Sequence, residues 1–300
     1  MKLLRPILLI LLYGCSTANI DNSDIDVSNE KLNSGQTEKD LDLFRFDTTL
    51  TQSLSEFPLS LEEKKILIAE IESQYDYYIQ SEYAISKKPL LDNFTFIELN
   101  ADGKPDLLFQ GWSGGEPECI SIHFSSGNKL DSAVTFYQFL KDIKIENGRI
   151  KFLTTVDPGC CSDYVEQELT YEFDQELKSK LIGQRVRIRA ESFECRILNS
   201  PIQFTVENAS YKLRGEPMVN DTNTLNYDYI DQGNTIAVFN EGSKGQAWAI
   251  NSSDTERDWW YVEMEPTVDS LEFDMFNYID NKQSLRRVGW MSSRFLKVIE

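Results

Sequence analysis

Along its 300 residues the chain changes hydrophobic period several times. An unbroken apolar run, Ile7 to Tyr13, follows Lys2 and Arg5 and ends at Gly14 and Cys15. From Ser16 to about Asp40 the apolar positions are too scattered to bury against anything, which predicts a flexible tether over 16–57. After Pro58 the period turns helical. Ser60 and Glu63 have the spacing of a capping box, and Ile66, Leu67, Ala69, Ile71, Tyr75, Tyr78 and Ile79 follow, predicting a helix over 61–81 whose aromatics face a core. Short alternating runs at 94–99, 106–110, 120–124, 143–146, 150–156, 166–173 and 184–194 predict strands. Asp102-Gly103 and Asn147-Gly148 mark hairpins between them. The expected fold of residues 58–196 is therefore an α+β domain, one N-terminal helix plus an antiparallel sheet. Residues 197–300 lack a long helical period and carry strand-like runs at 204–206, 211–214, 235–239, 246–250, 259–263 and 294–298. They predict a second, all-β domain, a small barrel.

The apolar run is too short to span a bilayer, so it reads as an export signal. Its end, LYGC, resembles the lipobox of bacterial lipoproteins, which implies that residues 1–15 are a signal peptide and that Cys15 carries the lipid. A plain secretion signal with a coincidental cysteine is the alternative. Lipid chains would hold the protein to the membrane, each buried CH₂ contributing about 0.8 kcal/mol. Charge would not. With 49 acidic against 30 basic residues the net charge is −19, which repels nucleic acid and anionic lipid alike. No nucleic-acid partner is expected.

Export also places Cys119, Cys160, Cys161 and Cys195 in an oxidising compartment, where they are candidates for up to two disulfides of undetermined pairing. Adjacent Cys160 and Cys161 are poorly placed to bridge each other, so each is expected to reach Cys119 or Cys195. A zinc site would call for paired CxxC spacing and more histidines than His123, the only one in the chain.

In the last third, four ordered blocks, YKLRGEP (Tyr211 to Pro217), GNTIAVFNEGSKGQAWAI (Gly233 to Ile250), DWWYVEM (Asp258 to Met264) and VGWMSSRFLKV (Val288 to Val298), resemble the bacterial SH3-like (SH3b) family. The resemblance implies an SH3-like β-barrel over 197–300 that binds a peptide or peptidoglycan in an aromatic groove. Tyr211, Trp259, Trp260 and Trp290 are the candidate ligand-binding residues. Neighbouring side chains on a strand face opposite ways, so at most one of Trp259 and Trp260 can meet a ligand. An insert at 269–285 departs from the family pattern.

In FIELNADGKPDLLF (Phe96 to Phe109), Glu98, Asn100, Asp102 and Asp106 have the spacing of calcium ligands, with Gly103 at the turn. The stretch resembles the calcium loops of VCBS and FG-GAP repeats, which implies Ca²⁺ as a candidate cofactor. Phe109 stands where an EF-hand needs a bidentate Glu, so only a strand-loop-strand site of modest affinity remains. The alternative is an ordinary hairpin turn with solvated acids. Cys119 and His123 lie four apart on a presumed strand, about 13 Å from one another, and cannot form a nucleophile-base dyad.

Together these features predict a non-catalytic, lipid-anchored cell-envelope protein, on the periplasmic or surface face of the outer membrane, whose SH3-like domain binds a wall or peptide ligand. Two other readings remain open: a wall hydrolase or its regulator working through a carboxylate site, and a structural subunit of an outer-membrane assembly.

Overall fold

The computed structural model describes residues 46, 54–80, 89–113, 118–126, 129–159, 165–189, 193–222, 233–267 and 271–299. The signal segment with Cys15, most of the expected tether, and Cys160 and Cys161 lie outside the described residues. No helix among the described residues is long and apolar enough to cross a membrane.

The Ser60 capping box forms as its spacing predicts. The Glu63 N–H donates to Ser60 Oγ (3.3 Å) and the Ser60 N–H donates to Glu63 Oε2 (2.8 Å). Helix α1 (Leu61–Ala69) nevertheless ends well short of Ser81. Its last turn holds no basic residue and Glu70 and Glu72 follow, so acids crowd the negative end of the helix dipole. The chain continues through a 3₁₀ turn (Glu72–Tyr75) into α2 (Asp76–Gln80). The break lets Ile68, Ile71, Tyr75 and Tyr78 all reach one apolar cluster, whereas Leu61 and Ile66 stay exposed.

The fold is mainly β, with antiparallel and mixed sheets. Strands β1 (Phe94–Ile97), β2 (Asp106–Trp112), β3 (Glu118–Ser126) and β4 (Lys129–Phe136) form a four-stranded antiparallel sheet in sequence order. One face carries Phe94, Phe96, Leu107, Phe109 and Cys119 against the helical segment. The other carries Ile97, Leu108, Ile120, Ile122 and Phe124 against the next strands, β5 (Phe139–Glu146), β6 (Arg149–Asp157) and β7 (Val165–Phe173). At the β5–β6 turn Asn147 (φ 53°) and Gly148 (φ 74°) are both left-handed, the conformation that an Asn-Gly hairpin requires.

Beyond β7 the sheet does not stop at residue 196. Strand β8 (Ser179–Ile188) is followed by β9 (Arg196–Val206), β10 (Tyr211–Arg214), β11 (Thr235–Phe239), β12 (Lys244–Asn251), β13 (Trp259–Met264), β14 (Phe273–Asp274), β15 (Leu285–Ser292) and β16 (Leu296–Val298). Their order, β16-β9-β12-β13-β15-β8-β7-β6-β5, makes one sheet that passes from the C-terminal strands into the middle of the chain. The junction is its parallel pair, β8 with β15, where Leu285 lies opposite Gln184 and Arg287 opposite Val186. Strands β10 and β11 pair with each other, β10 touches β15 at Arg214↔Trp290, and β11 pairs with β14.

The largest core crosses the same junction, since Val165, Val186 and Ile188 pack with Phe204, Leu213, Ile236, Trp260 and Met291. The insert contributes to it: Phe276 and Ile279 are buried there, and Arg287 pairs with Asp274 at 2.6 Å. Polar groups reinforce the junction. Glu263 on β13 accepts from Arg185 Nε on β8 (2.8 Å) and from Arg286 Nη1 on β15 (3.1 Å). Burial alone would raise the Glu168 carboxyl, but Arg185 and Lys141 outweigh it and hold the group below its ordinary value. Phe46, within the expected tether, is 6% exposed and lies under the Arg187 guanidinium, 4.4 Å from ring centroid to Cζ. The packed chain thus begins before Pro58.

Candidate functional site

Alternation along β13 places Trp259 and Trp260 on opposite faces of the sheet, and both faces are covered. Trp260 packs edge-on against Phe204 in the main core. Trp259 joins Ala249, Tyr261, Val288 and Trp290 in a second cluster, over which Phe193, Cys195 and Ile197 lie. Phe193 meets Trp290 edge to face at 5.9 Å. With exposures of 2%, 9% and 1%, Trp259, Trp260 and Trp290 have no open groove to line. The 193–197 segment occupies the face that carries Trp259 and Trp290, and the main core encloses Trp260 on the other. Tyr211 alone of the four keeps surface. Its hydroxyl donates to the Ser292 carbonyl (2.6 Å) and its ring stands edge-on to Phe295, 5.6 Å away and 44% exposed. Arg294 lies within the 3₁₀ turn that Ser292 caps, with its guanidinium near the Glu256 carboxylate.

The acidic turn between β1 and β2 is wired to the protein's own donors. Asp106 is fully buried, with the Leu99 N–H donating to Oδ2 and the Ser125 N–H to Oδ1, each at 2.6 Å. Asn100 turns its amide toward the Ser125 carbonyl (2.8 Å) and accepts the Asp102 N–H at Oδ1 (3.0 Å). Asp102 accepts from the Lys104 N–H (2.9 Å) and from Ser125 Oγ, and Glu98 Oε1 accepts the Asp102 N–H (3.1 Å). Calcium needs six to eight oxygens pointing at one centre. Glu98, Asn100, Asp102 and Asp106 instead point at backbone N–H groups, and no group of three or more His, Cys, Asp or Glu side chains among the described residues could hold a metal. The arrangement is a hydrogen-bonded clamp joining the β1–β2 turn to β3. Burial pushes the Asp106 carboxyl up to about 6, against the backbone bonds from Ser125 and Leu99 that pull it down.

Cys119 and His123 sit on the same face of β3, opposite Gly111 and Leu107 of β2, and each has a tyrosine partner instead of the other. His123 Nε2 is 2.7 Å from the Tyr75 hydroxyl, and Cys119 Sγ is 3.7 Å from that of Tyr77. Burial pushes the Cys119 thiol up, away from thiolate chemistry. Of the other disulfide candidates only Cys195 is described; it is half-buried beside Phe193 and Ile197.

The stretch Gly111-Trp-Ser-Gly-Gly115 spells G-x-S-x-G. The nucleophile elbow that this motif marks in hydrolases is a strand-to-helix turn. Here Ser113 follows β2, and the next described element is β3, antiparallel to it. His123 pairs with Leu107, six residues back along β2 from Ser113, about 20 Å at strand spacing, so the chain's one imidazole does not serve this hydroxyl. No family model matches the chain, and no curated protein or solved structure matches it either.

Proposed function

We propose that the protein is a non-catalytic lipoprotein of the bacterial cell envelope, held to the membrane through lipidated Cys15, whose C-terminal SH3-like barrel binds a peptide or a peptidoglycan stem. In this reading residues 58–196 are an α+β scaffold and 197–300 the barrel, with one sheet running through both by way of β8 and β15. The observation that carries the ligand assignment is the Tyr211–Phe295 pair. It is a half-exposed edge-to-face aromatic surface on the part of the chain that resembles SH3b domains, and Arg294, half-exposed and held by Glu256, adds a positive charge beside it. Rigid aromatics give a large amphipathic contact at little entropic cost, which suits an extended peptide. The wall-hydrolase alternative needs an accessible carboxylate pair. Asp106, the one carboxyl among the described residues pushed well up, is buried with both oxygens occupied.

Co-sedimentation of residues 38–300, which pack as one unit, with purified peptidoglycan tests the assignment. The wild type is expected in the pellet, and Phe295→Ala is expected to bind at least fivefold more weakly, the loss of a contact worth upward of about 1 kcal/mol. Wild-type protein that stays in the supernatant defeats the wall reading. Loss of fatty-acid labelling in Cys15→Ser tests the anchor.

A further inference from the structure

A cavity of about 260 Å³ opens between the 3₁₀ turn with α2 on one side and strands β3 and β4 on the other. Its origin is legible strand by strand. On β3 the residues facing away from the helical layer are Ile120, Ile122 and Phe124, all apolar and fully packed. On the helical side the same strand carries Cys119, Ser121 and His123, and Ser121 lies across from Thr135 of β4. Polar side chains stand where valine or leucine would close the space. Burying them costs free energy unless each is hydrogen-bonded, and here Cys119, Ser121 and His123 each find a hydroxyl partner, so the space stays open at little cost.

The floor is made by Tyr75, Cys119 and Ser121, all buried, and the rim by Tyr77, Thr135 and Tyr137, all exposed to solvent, Tyr137 by 62%. Ser121 Oγ lies 2.9 Å from Thr135 Oγ1, so the two hydroxyls form a connected pair running from floor to rim. Gln74 and Ser113 add an amide and another hydroxyl. Among the described residues, no side chain lining the cavity is an acid, a lysine, an arginine or a histidine. Burial pushes the Tyr75 and Tyr77 hydroxyls and the Cys119 thiol up, so all three stay protonated at neutral pH.

We infer that this cavity is a binding site for a neutral polyhydroxylated ring, a single saccharide unit, held by hydroxyls from Ser121, Thr135 and the tyrosines and stacked at the rim against Tyr77 or Tyr137. Each lining hydroxyl both donates and accepts, as each sugar hydroxyl does, so the two sets can satisfy one another. The described walls hold no fixed charge to compensate an ion for its lost hydration. Its volume falls just under the roughly 300 Å³ at which pockets for drug-sized ligands begin, which suits one ring. The exposed tyrosine faces supply the apolar platform that the C–H face of a sugar needs. This site is separate from the Tyr211–Phe295 surface and does not depend on the wall-binding reading.

Saturation-transfer difference NMR on the full-length protein in sugar-free detergent micelles tests the inference, with N-acetylglucosamine, glucose and glucuronate as probes at about 10 mM, enough to detect a millimolar Kd. At least one neutral sugar is expected to receive saturation and glucuronate is not. Chitobiose beside N-acetylglucosamine distinguishes the source: binding of both points to the end of a glycan, binding of the monosaccharide alone to a free sugar, and either supports the site. Ser121→Leu fills the floor and is expected to abolish the signal. Tyr137→Ala, a change on an exposed ring that leaves folding intact, is expected to weaken binding roughly two- to tenfold. The inference is overturned if no neutral sugar binds, if glucuronate binds as well as glucose does, or if Tyr137→Ala and a folded Ser121→Leu both bind like wild type.

Discussion

Replacing Asp106 by Asn keeps the shape of a buried side chain and removes one of its two acceptors. In the wild type the Leu99 and Ser125 N–H groups each donate to a separate carboxylate oxygen at 2.6 Å. In Asp106→Asn one N–H keeps an oxygen, and the other faces an amide NH₂, donor against donor. An orphaned buried donor costs about 1–3 kcal/mol, and a bond to a charged acceptor is at the upper end of that scale, so the expected loss is about 2–3 kcal/mol. For a unit of this size each kcal/mol moves Tm by about 2–4 °C, giving a drop of about 4–12 °C in a circular-dichroism melt. The same melts discriminate the clamp from a calcium site. A site with a Kd of about 0.1 mM would add about 2.7 kcal/mol at 10 mM calcium. The clamp predicts no difference between calcium and chelator for either protein. A wild-type Tm that rises 5 °C or more with calcium, or a substitution that matters only when calcium is present, refutes the reasoning.

The Asp106 carboxyl also predicts a pH dependence. Its folded value, about 6, lies above the ordinary unfolded value, so folding takes up a proton; its contribution is full below about pH 4 and lost as pH rises through about 6. The stability gap between wild type and Asp106→Asn should therefore widen by about 1 kcal/mol between pH 7 and pH 5, and a gap that narrows contradicts the assignment. Gly289→Ala should destabilise by more than about 2 kcal/mol in urea, because a Cβ there would stand 2.6 Å from the Arg214 carbonyl and force β10 off β15. Phe46→Ala should lower stability by about 3 kcal/mol through the lost ring and its contact with Arg187, and an unchanged urea midpoint would show that the ring does not anchor there. Mass mapping of the protein after oxidation should find Cys119 unbridged, since its thiol is buried against Tyr77; a Cys119 disulfide contradicts that packing.

Local patterns in the sequence were sufficient for several features with a local cause, though not for the early end of α1 at Ala69. The Ser60–Glu63 cap, the Asn147-Gly148 turn and the opposed faces of Trp259 and Trp260 follow from neighbours a few residues apart, and the β-rich character follows from short alternating runs. Strands β4 and β15 escaped for identifiable reasons. The first breaks its alternation at Asp131, Ser132 and Ala133. The second is buried along nearly its whole length, so it shows no period of two, and Arg286 and Arg287 make it read as polar. What only the tertiary structure decided is which distant segment covers each face. The 193–197 segment covers Trp259 and Trp290, β15 joins β8 across about a hundred residues, and Asp106 places its two oxygens on the Leu99 and Ser125 N–H groups. Residue type and period fix which way a side chain points from its own strand. What it meets there depends on long-range register, which no short window of sequence contains.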